Sequence, residues 1–405
     1  MPIISRRLEN TTAVLTALGT VAILFSIAAS QILIGLALLS LLASRRPLEF
    51  PSKLRFPLLA FIGWTLLSLA FSEEPLIGFH QVRKIFLYLI PVLVYNAYQN
   101  RRQIQRTFQG VVLAGTMTAL YGVAQFLYDY LALRRTGSSI YENYVAKQIT
   151  GFMSHWMTYG GEMMLVLVLL VSLLLFFPPE GISPWWWFCL PPILLALLLS
   201  FTRGVWLGTL AGVAYLLARS RRRVFWLLLP AGVLLLYLLA PQWLQQRERS
   251  IFNTQTDNHN RLRLLMVRTG VRMIAAHPWF GVGPERVGFE FLRYKPASMP
   301  LPPGSWYGHL HNNFLQIAAE RGIPCLLFFL WLLFEILREG LILARGPTGG
   351  VRAMGHAEVA VTVSLVVGGL FEFNFGDSEV VMLYLFLIAA AYAWTRLGRT
   401  VTSDE

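Results

Sequence analysis

Long apolar runs alternate with short polar segments along most of the chain. About 20 apolar residues are needed for a helix to cross a hydrocarbon core of ~30 Å, and the runs approach that length. The pattern predicts twelve membrane-spanning helices. Their predicted ranges are 11–27, 30–43, 57–71, 84–98, 107–128, 157–177, 185–201, 204–218, 224–240, 314–336, 357–373 and 379–395.

The continuity of these runs decides the type of secondary structure. Only helices or a closed barrel satisfy every backbone polar group inside a bilayer, and barrel strands alternate apolar with polar residues. The predicted fold is therefore all-α, a polytopic membrane protein. Its expected organisation is one integrated membrane domain, with helices in 1–240, a large loop carrying short helices in 241–313, and the last three helices in 314–405.

Composition agrees with a membrane protein. Of the 405 residues, 56% are hydrophobic and 14% are charged, whereas soluble domains are about 25% charged. Membrane lipids are the expected surroundings, and no nucleic-acid partner is expected.

The positions of Lys and Arg predict the orientation of the helices, because cytoplasmic loops are enriched in both. With a cytoplasmic N-terminus, basic clusters fall on the inner side, among them Arg45 with Arg46 and Arg101 with Arg102. The expected outer segments are 72–74, 129–156, 202–204, 241–313 and 372–378.

The long outer loop is basic although it lies on the outer side. It carries nine basic and four acidic residues, a net charge of +5. Residues 261–275 read as a helix with Arg261, Arg268 and Arg272 on one face. Such a face suits a phosphate-bearing ligand. An amphipathic helix resting on anionic lipid head groups is an equally good interpretation.

Two polar features stand next to predicted spans. His309, His311 and Asn312 precede the tenth span, and a histidine near neutral pKa can take a proton from a sugar hydroxyl. Arg203 is a lone charge between two apolar runs, where a cation is costly unless it is paired or functional. The alternatives are interfacial histidines that cap a helix and an arginine that reaches the head groups.

Two outer acids, Glu372 and Asp377, join the last spans and are candidate partners for the arginines, or members of a solvated turn. The glycines at 281–288 are interpreted as a turn, because no strand precedes them. No Walker loop, H-E-x-x-H pair or D-x-D sequence occurs.

Two motifs resemble a known family. His311-Asn312, followed after nine residues by Gly322, resembles the H-[N/S/Q]-x9-G motif of the O-antigen ligase and polymerase superfamily, although Cys325 stands where Gly, Thr or Tyr is usual. Residues 276–283 resemble the hP-x-x-G-x-G stretch of the family. Thr202-Arg203-Gly204 resembles its helix-end arginine, and Arg261 stands at a second arginine position of the family.

The resemblance implies a glycosyltransferase of the bacterial inner membrane, with the active site facing the periplasm. Glycan passes from an undecaprenyl diphosphate carrier to a lipid A core sugar. Because the energy lies in the existing sugar–diphosphate bond, the resemblance implies neither a cofactor nor a metal, which agrees with the missing D-x-D sequence. His311 is then the expected general base, and Arg203 and Arg261 are expected to stabilise the diphosphate. The further expected substrate-binding residues are Arg263, Arg268, Arg272, His309, Asn312 and Asp377.

Other functions fit the same residues. An O-antigen polymerase or a protein O-oligosaccharyltransferase of the superfamily uses the same donor chemistry. A lipid or polysaccharide transporter is an alternative of a different class, and transporters place polar groups near the membrane midplane. The nearly uncharged interior of the predicted spans favours an enzyme with its site at one membrane face.

Overall fold

A computed structural model describes residues 2–137, 148–178, 183–220, 258–302, 304–346 and 349–399. These residues form helices and connecting loops and contain no β-strand, so the all-α prediction is confirmed for them. The α-helices are α1 Pro2–Ala22, α2 Ile27–Ala43, α3 Ser52–Ala70, α4 Pro75–Lys84, α5 Ile90–Ala97, α6 Arg101–Thr136, α7 Trp156–Phe176, α8 Leu190–Leu199, α9 Arg203–Arg219, α10 Asn258–Ala276, α11 Val287–Tyr294, α12 Asn313–Leu343, α13 Gly349–Gly368 and α14 Ser378–Arg399. Short 3-10 turns span Ile85–Leu89, Pro184–Cys189 and Asn374–Gly376.

Eleven of the twelve apolar runs fall on helical segments, and the run 224–240 lies outside the described residues. Within the described part, six helices are long and apolar enough to cross a membrane, and Ile27–Ala43 and Pro184–Leu199 are shorter apolar helices. The count of twelve spans stays a prediction. The six are Ser52–Ala70, Pro75–Ala97, Arg101–Thr136, Trp156–Phe176, Gly349–Gly368 and Ser378–Gly398.

Three of these helices form the centre of the bundle. Of the most apolar stretch of each, 78% is buried in α7, 72% in α13 and 83% in α14, against 33% in α3. A helix that is apolar all round belongs in a core, whereas α3 leaves much of its apolar surface for lipid. Helix α13 packs against α7, α9 and α12, and so connects the middle of the chain to its last third.

Helix α9 packs on α13 through glycines one turn apart. An added Cβ at Gly204 would stand 2.8 Å from Cβ of Phe371, and one at Gly208 would stand 2.5 Å from the carbonyl oxygen of Ser364. Gly212 continues the row and would meet Ser364 again. Small residues let the backbones of two membrane helices approach closely. The start of α9 is thereby held against the residues that follow α13.

Helix α12 is broken at Gly322, which has φ +83° and ψ 168°. A side chain there would overlap the carbonyl group of Trp279, so the position requires glycine in both conformation and space. The loop that contains Trp279 pairs with the backbone groups that the break exposes. Val282 N–H donates to Ala319 O at 2.8 Å, and Ile323 N–H donates to Pro278 O at 2.8 Å.

These contacts give one structural explanation for two sequence features, the H-N-x9-G motif and the stretch 276–283. Gly281 and Gly283 both have positive φ, as a turn requires, and an added Cβ at Gly281 would collide with Glu320. From α3, Trp64 Nε1 donates to Trp279 O and to Arg321 O, each at 3.1 Å. The loop 278–283 therefore holds the break in α12 in place. The interpretation as a turn is confirmed for Gly281 and Gly283, whereas Gly288 lies in α11.

Several predicted outer segments meet at one end of the bundle. Thr158 Oγ1 donates to Asp377 Oδ2 at 3.2 Å, and Gly283 packs against Ser72. At the opposite end, Arg101 Nε donates to Trp394 O at 3.1 Å. The loop and helix-end residues of interest thus belong to one face of the molecule.

Candidate active site

His311 and Glu372 form a hydrogen-bonded pair at this end. His311 lies immediately before α12, Glu372 lies in the loop after α13, and His311 Nδ1 is 2.8 Å from Glu372 Oε2. The Glu372 side chain is 5% exposed and that of His311 is 15% exposed. A carboxylate at Nδ1 accepts the proton of that nitrogen and leaves the lone pair on Nε2. Among the described residues, Nε2 has no hydrogen-bond partner.

Arg263 of α10 holds Glu372 from the other side. Its Nη2 donates to Glu372 Oε1 at 3.0 Å, and its Nη1 donates to Phe371 O at 2.7 Å. The two donors of one guanidinium fix both the carboxylate and the neighbouring backbone. Arg263 therefore orients Glu372, and its predicted role as a substrate ligand stays a prediction.

His309 stands beside His311 in a different state. Its Nδ1 accepts the backbone N–H of His311 at 3.1 Å, and the two rings lie 4.2 Å apart. Burial, together with the charges of His311, His155 and Arg263, lowers the pKa of His309 to about 3. His309 is therefore neutral at physiological pH and carries its proton on Nε2. The ring of Trp306 packs edge-on against His309 at 4.6 Å and forms a wall beside the pair.

The backbone at His311 is left-handed, with φ +48°. A non-glycine residue in this region costs of order 1–3 kcal/mol, so neighbouring contacts must hold it. Asn312 caps α12 by accepting the Leu315 N–H at 2.9 Å, and its Nδ2 donates to Leu370 O at 2.9 Å. Asn312 thus ties the base of the His311 loop to the segment that carries Glu372.

The first residue of α9, Arg203, lies at the same end. Its neighbour Gly204 packs against Phe371, and an added Cβ on Gly204 would lie 3.6 Å from Cγ of Glu372. The N-terminus of a helix carries partial positive charge from its unpaired N–H groups. The glycine row of α9 therefore brings both the Arg203 backbone and a positive helix end next to the His311–Glu372 pair.

The start of α7 completes the surroundings. His155 caps this helix, because its Nδ1 accepts the Met157 N–H at 3.2 Å. Burial lowers the pKa of His155, Glu372 raises it and His311 lowers it, so His155 lies within electrostatic reach of the pair. One turn later, Thr158 bonds Asp377, whose pKa burial raises to about 7.

The remaining predicted arginines lie on the solvent-facing side of α10. Arg261, Arg268 and Arg272 are all exposed, as their common helix face predicts. Arg268 Nη1 contacts Met299 Sδ at 3.2 Å. Within the described ranges, no three His, Cys, Asp or Glu side chains come together as a metal site.

The structure brings His309, His311, Asn312 and Arg263 together, whereas Asp377 contacts Thr158. Two contributions are absent from the sequence prediction: Glu372 as the partner of His311, and the Trp306 wall. An acid between two phenylalanines, as in Phe371-Glu372-Phe373, is the one signal that points to a buried carboxylate. The separation of 61 residues between His311 and Glu372 hides the pair from any local motif.

Comparison with known proteins identifies one family. A family model described as O-antigen ligase matches residues 188–330, a range that contains Arg203, the described part of the loop and His311. Glu372 and His155 lie outside the match. No curated protein matches the chain. Residues 188–330 therefore carry an O-antigen ligase domain, which supports the assignment of this membrane protein to the O-antigen ligase superfamily.

Proposed function

We propose that the protein is an O-antigen ligase, which transfers O-antigen polysaccharide from undecaprenyl diphosphate to a lipid A core sugar. The proposal rests on the His311–Glu372 pair, whose Nδ1–carboxylate bond at 2.8 Å leaves the Nε2 lone pair for a substrate. The family match at residues 188–330 supports the class of donor.

His311 acts as the general base in a single displacement. Nε2 takes the proton of the acceptor hydroxyl as the oxygen forms a bond to the anomeric carbon of the donor. The bond from that carbon to the diphosphate oxygen breaks, and undecaprenyl diphosphate leaves with the electron pair. Configuration at the anomeric carbon inverts. Glu372 stabilises the imidazolium that forms, as an ionised carboxylate does beside any catalytic histidine.

We expect positive charge to stabilise the leaving diphosphate. Arg203 with the N-terminus of α9 and the exposed Arg261 of α10 are the expected sources of this charge. Arg268 and Arg272 extend the same charge along α10. Fixed cations aimed at a leaving group act most strongly where water is scarce. This supplies the stabilisation without a metal or cofactor.

The number of spans and their orientation in the membrane are part of the same proposal. The chain crosses the bacterial inner membrane about twelve times, and the residues of 241–313 form a periplasmic loop. The assembly of the outer segments at one end of the bundle supports this orientation. A periplasmic site suits a donor whose energy already lies in its sugar–diphosphate bond.

One observation favours transport as a second candidate. The carboxylates of Glu162 in α7 and Glu358 in α13 are buried, and their oxygens have no hydrogen-bond partner among the described residues. Ionisable groups inside a membrane bundle often mark ion or substrate pathways. Glu162 and Glu358 are therefore exceptions to the prediction of nearly uncharged span interiors, as are the buried Glu320 and Arg321 of α12. The test of function must include movement across the membrane.

The test uses the purified protein in lipid vesicles with glycan-loaded undecaprenyl diphosphate and a lipid A core acceptor. The wild type is expected to produce core-linked glycan, and His311→Ala is expected to lose ~10²–10⁴-fold in rate. His80→Ala, which removes an exposed histidine of α4, serves as the matched control and should retain the rate.

Each alternative has its own product. Glycan lengthened on the carrier would identify a polymerase, and glycan on a Ser or Thr hydroxyl would identify a protein O-oligosaccharyltransferase. Passage of lipid-linked glycan across the vesicle membrane without transfer would overturn the proposal in favour of a transporter. Normal transfer by His311→Ala would refute the base assignment.

A further inference from the structure

A cavity of about 400 Å³ lies beside the start of α7. It is formed by the outer end of α6 and by the segment that leads into α7. Its size falls within the ~300–1,000 Å³ of small-molecule sites. Its polar walls include Gln125, Asp129, Gln148 and Ser154, and its aromatic walls are Tyr128 and Trp156.

Gln148 contributes an unsatisfied polar atom to the cavity. The residue is 7% exposed, and its Oε1 has no hydrogen-bond partner among the residues that the structure describes. A buried amide oxygen without a donor is destabilising, because it has lost its hydrogen bonds to water. A ligand that donates a hydrogen bond at this point would remove that cost.

The wall of the cavity is held in shape by its own backbone contacts. Gln125 Oε1 accepts the Gly151 N–H at 3.0 Å, and Gln125 Nε2 donates to Gly151 O at 3.1 Å. Tyr121 stacks on Phe152 with ring centroids 4.4 Å apart behind this wall. A site that is formed before the ligand arrives binds with a smaller ordering cost.

The chemistry of the lining favours a sugar ring. A pyranose presents an apolar face of C–H groups, which suits Tyr128 and Trp156, and an edge of hydroxyl groups, which suits amides, a carboxylate and a serine. The described residues of the lining include one carboxylate and no Lys or Arg, so they favour a neutral sugar over a phosphate or a phospholipid head group.

The cavity lies near the histidine pair. The ring of Trp156 stacks on the ring of His155 with centroids 4.0 Å apart. His155 in turn responds to the charges of Glu372 and His311. A glycan that reacts at His311 can therefore extend past His155 and place another of its sugars against Trp156.

From this geometry we propose that the cavity is a carbohydrate subsite, which binds a pyranose ring of a glycan substrate away from the reacting sugar. Gln148 accepts a hydrogen bond from a sugar hydroxyl, and Tyr128 and Trp156 contact the ring faces. The proposal rests on the proposed glycan transfer. It adds a site that sets glycan affinity and takes no part in the bond changes.

The experiment compares Tyr128→Ala and Gln148→Leu with the wild type in the vesicle transfer assay. Tyr128 is 77% exposed, so its removal leaves packing intact. Each variant is expected to raise the KM for the glycan by about tenfold with kcat retained, as the loss of one stacking or hydrogen-bond contact predicts. Inhibition by undecaprenyl diphosphate without sugar should be unchanged, because the diphosphate binds elsewhere.

The two glycan sources give different results. A rise in the KM of the lipid-linked donor assigns the subsite to the donor glycan, and a rise in the KM of the lipid A core assigns it to the acceptor. Trp185→Ala, which removes an exposed tryptophan remote from the cavity, should change neither. Unchanged KM values in both cavity variants would overturn the subsite.

A binding measurement separates this result from the function itself. Free O-polysaccharide, released by mild acid from lipopolysaccharide, is titrated calorimetrically into wild-type protein and Tyr128→Ala in detergent. Binding that weakens about tenfold in the variant supports the subsite even if the wild type transfers no glycan. Equal binding by the two proteins, or no binding, contradicts it.

Discussion

The segment of α12 before its break carries charged or titratable groups at both ends, in opposite environments. At its start, His311 and Glu372 form a pair that retains a free nitrogen at a partly exposed edge. At its end, Glu320 and Arg321 are buried, with Arg321 Nη2 3.6 Å from Glu320 Oε2. Gln81 joins the second cluster, since its amide can accept from Arg321 at 2.9 Å and donate to Glu285 at 3.1 Å.

The difference shows what each cluster can do. A catalytic base must reach substrate, and His311 keeps an atom for that purpose. Arg321 is buried beside Glu320 and lies over the ring of Phe61 at 5.5 Å. Glu320 O accepts the Gly283 N–H at 2.9 Å, so this cluster supports the break at Gly322 and the loop that clamps it. Exposure distinguishes chemistry from support better than residue type does.

The largest expected effect comes from removing the cation of the buried Glu320–Arg321 cluster. Arg321→Met removes the cation and leaves Glu320 buried without its partner, which is expected to cost ~3–5 kcal/mol of the free energy of unfolding. The melting temperature in detergent measures this loss. The double variant Glu320→Gln, Arg321→Met should recover much of it, because no unpaired charge then remains. Equal losses in the two proteins would show that the ion pair is not the cause.

The next largest effect concerns the His311–Glu372 pair. In Glu372→Gln, the amide nitrogen cannot face Arg263, so the amide turns and donates to Nδ1 of His311. The proton of the histidine then moves to Nε2, which is the wrong tautomer for a base. Glycan transfer is expected to fall by about 10²-fold with little change in melting temperature. Glu73→Gln is the matched control, since Glu73 is exposed at the same end.

The smallest effect is a change in pH dependence at Asp377. Burial raises the pKa of this carboxyl from 3.8 to about 7, so the folded state holds a proton that the unfolded state has already lost. Stability should therefore fall as pH rises from about 4 to 7. In Asp377→Asn, the fall of the melting temperature over this range should be smaller. An unchanged slope would show that Asp377 does not carry the dependence.

The sequence predicts the helices well because their signal is local. Continuous apolar runs specify helices in lipid, and the runs of α7 and α14 fall on helices close to the predicted ranges. The H-N-x9-G motif likewise identifies His311 and Gly322 as residues of interest from the sequence alone. Both are properties of neighbouring residues.

Which side chains of the site become partners depends on tertiary packing, and no local sequence pattern predicts it. Glu372 reaches His311 only because α13 brings its following loop beside α12, and Gly204 reaches that loop only because α9 packs on α13. Arg263 differs from Arg261 in what it touches, although two residues separate them. Such distinctions depend on where α10 rests, which the charge pattern leaves open.

The break at Gly322 also explains why a fixed number of residues follows Asn312. Asn312 is tied to Leu370, and Gly322 is seated against Trp279, so both ends of the intervening nine residues have external anchors. Each helical residue advances ~1.5 Å and turns about 100°. One inserted residue would swing the imidazole away from its carboxylate while the far end stayed in place. The nine-residue spacing thus sets both the distance and the rotation between Asn312 and Gly322.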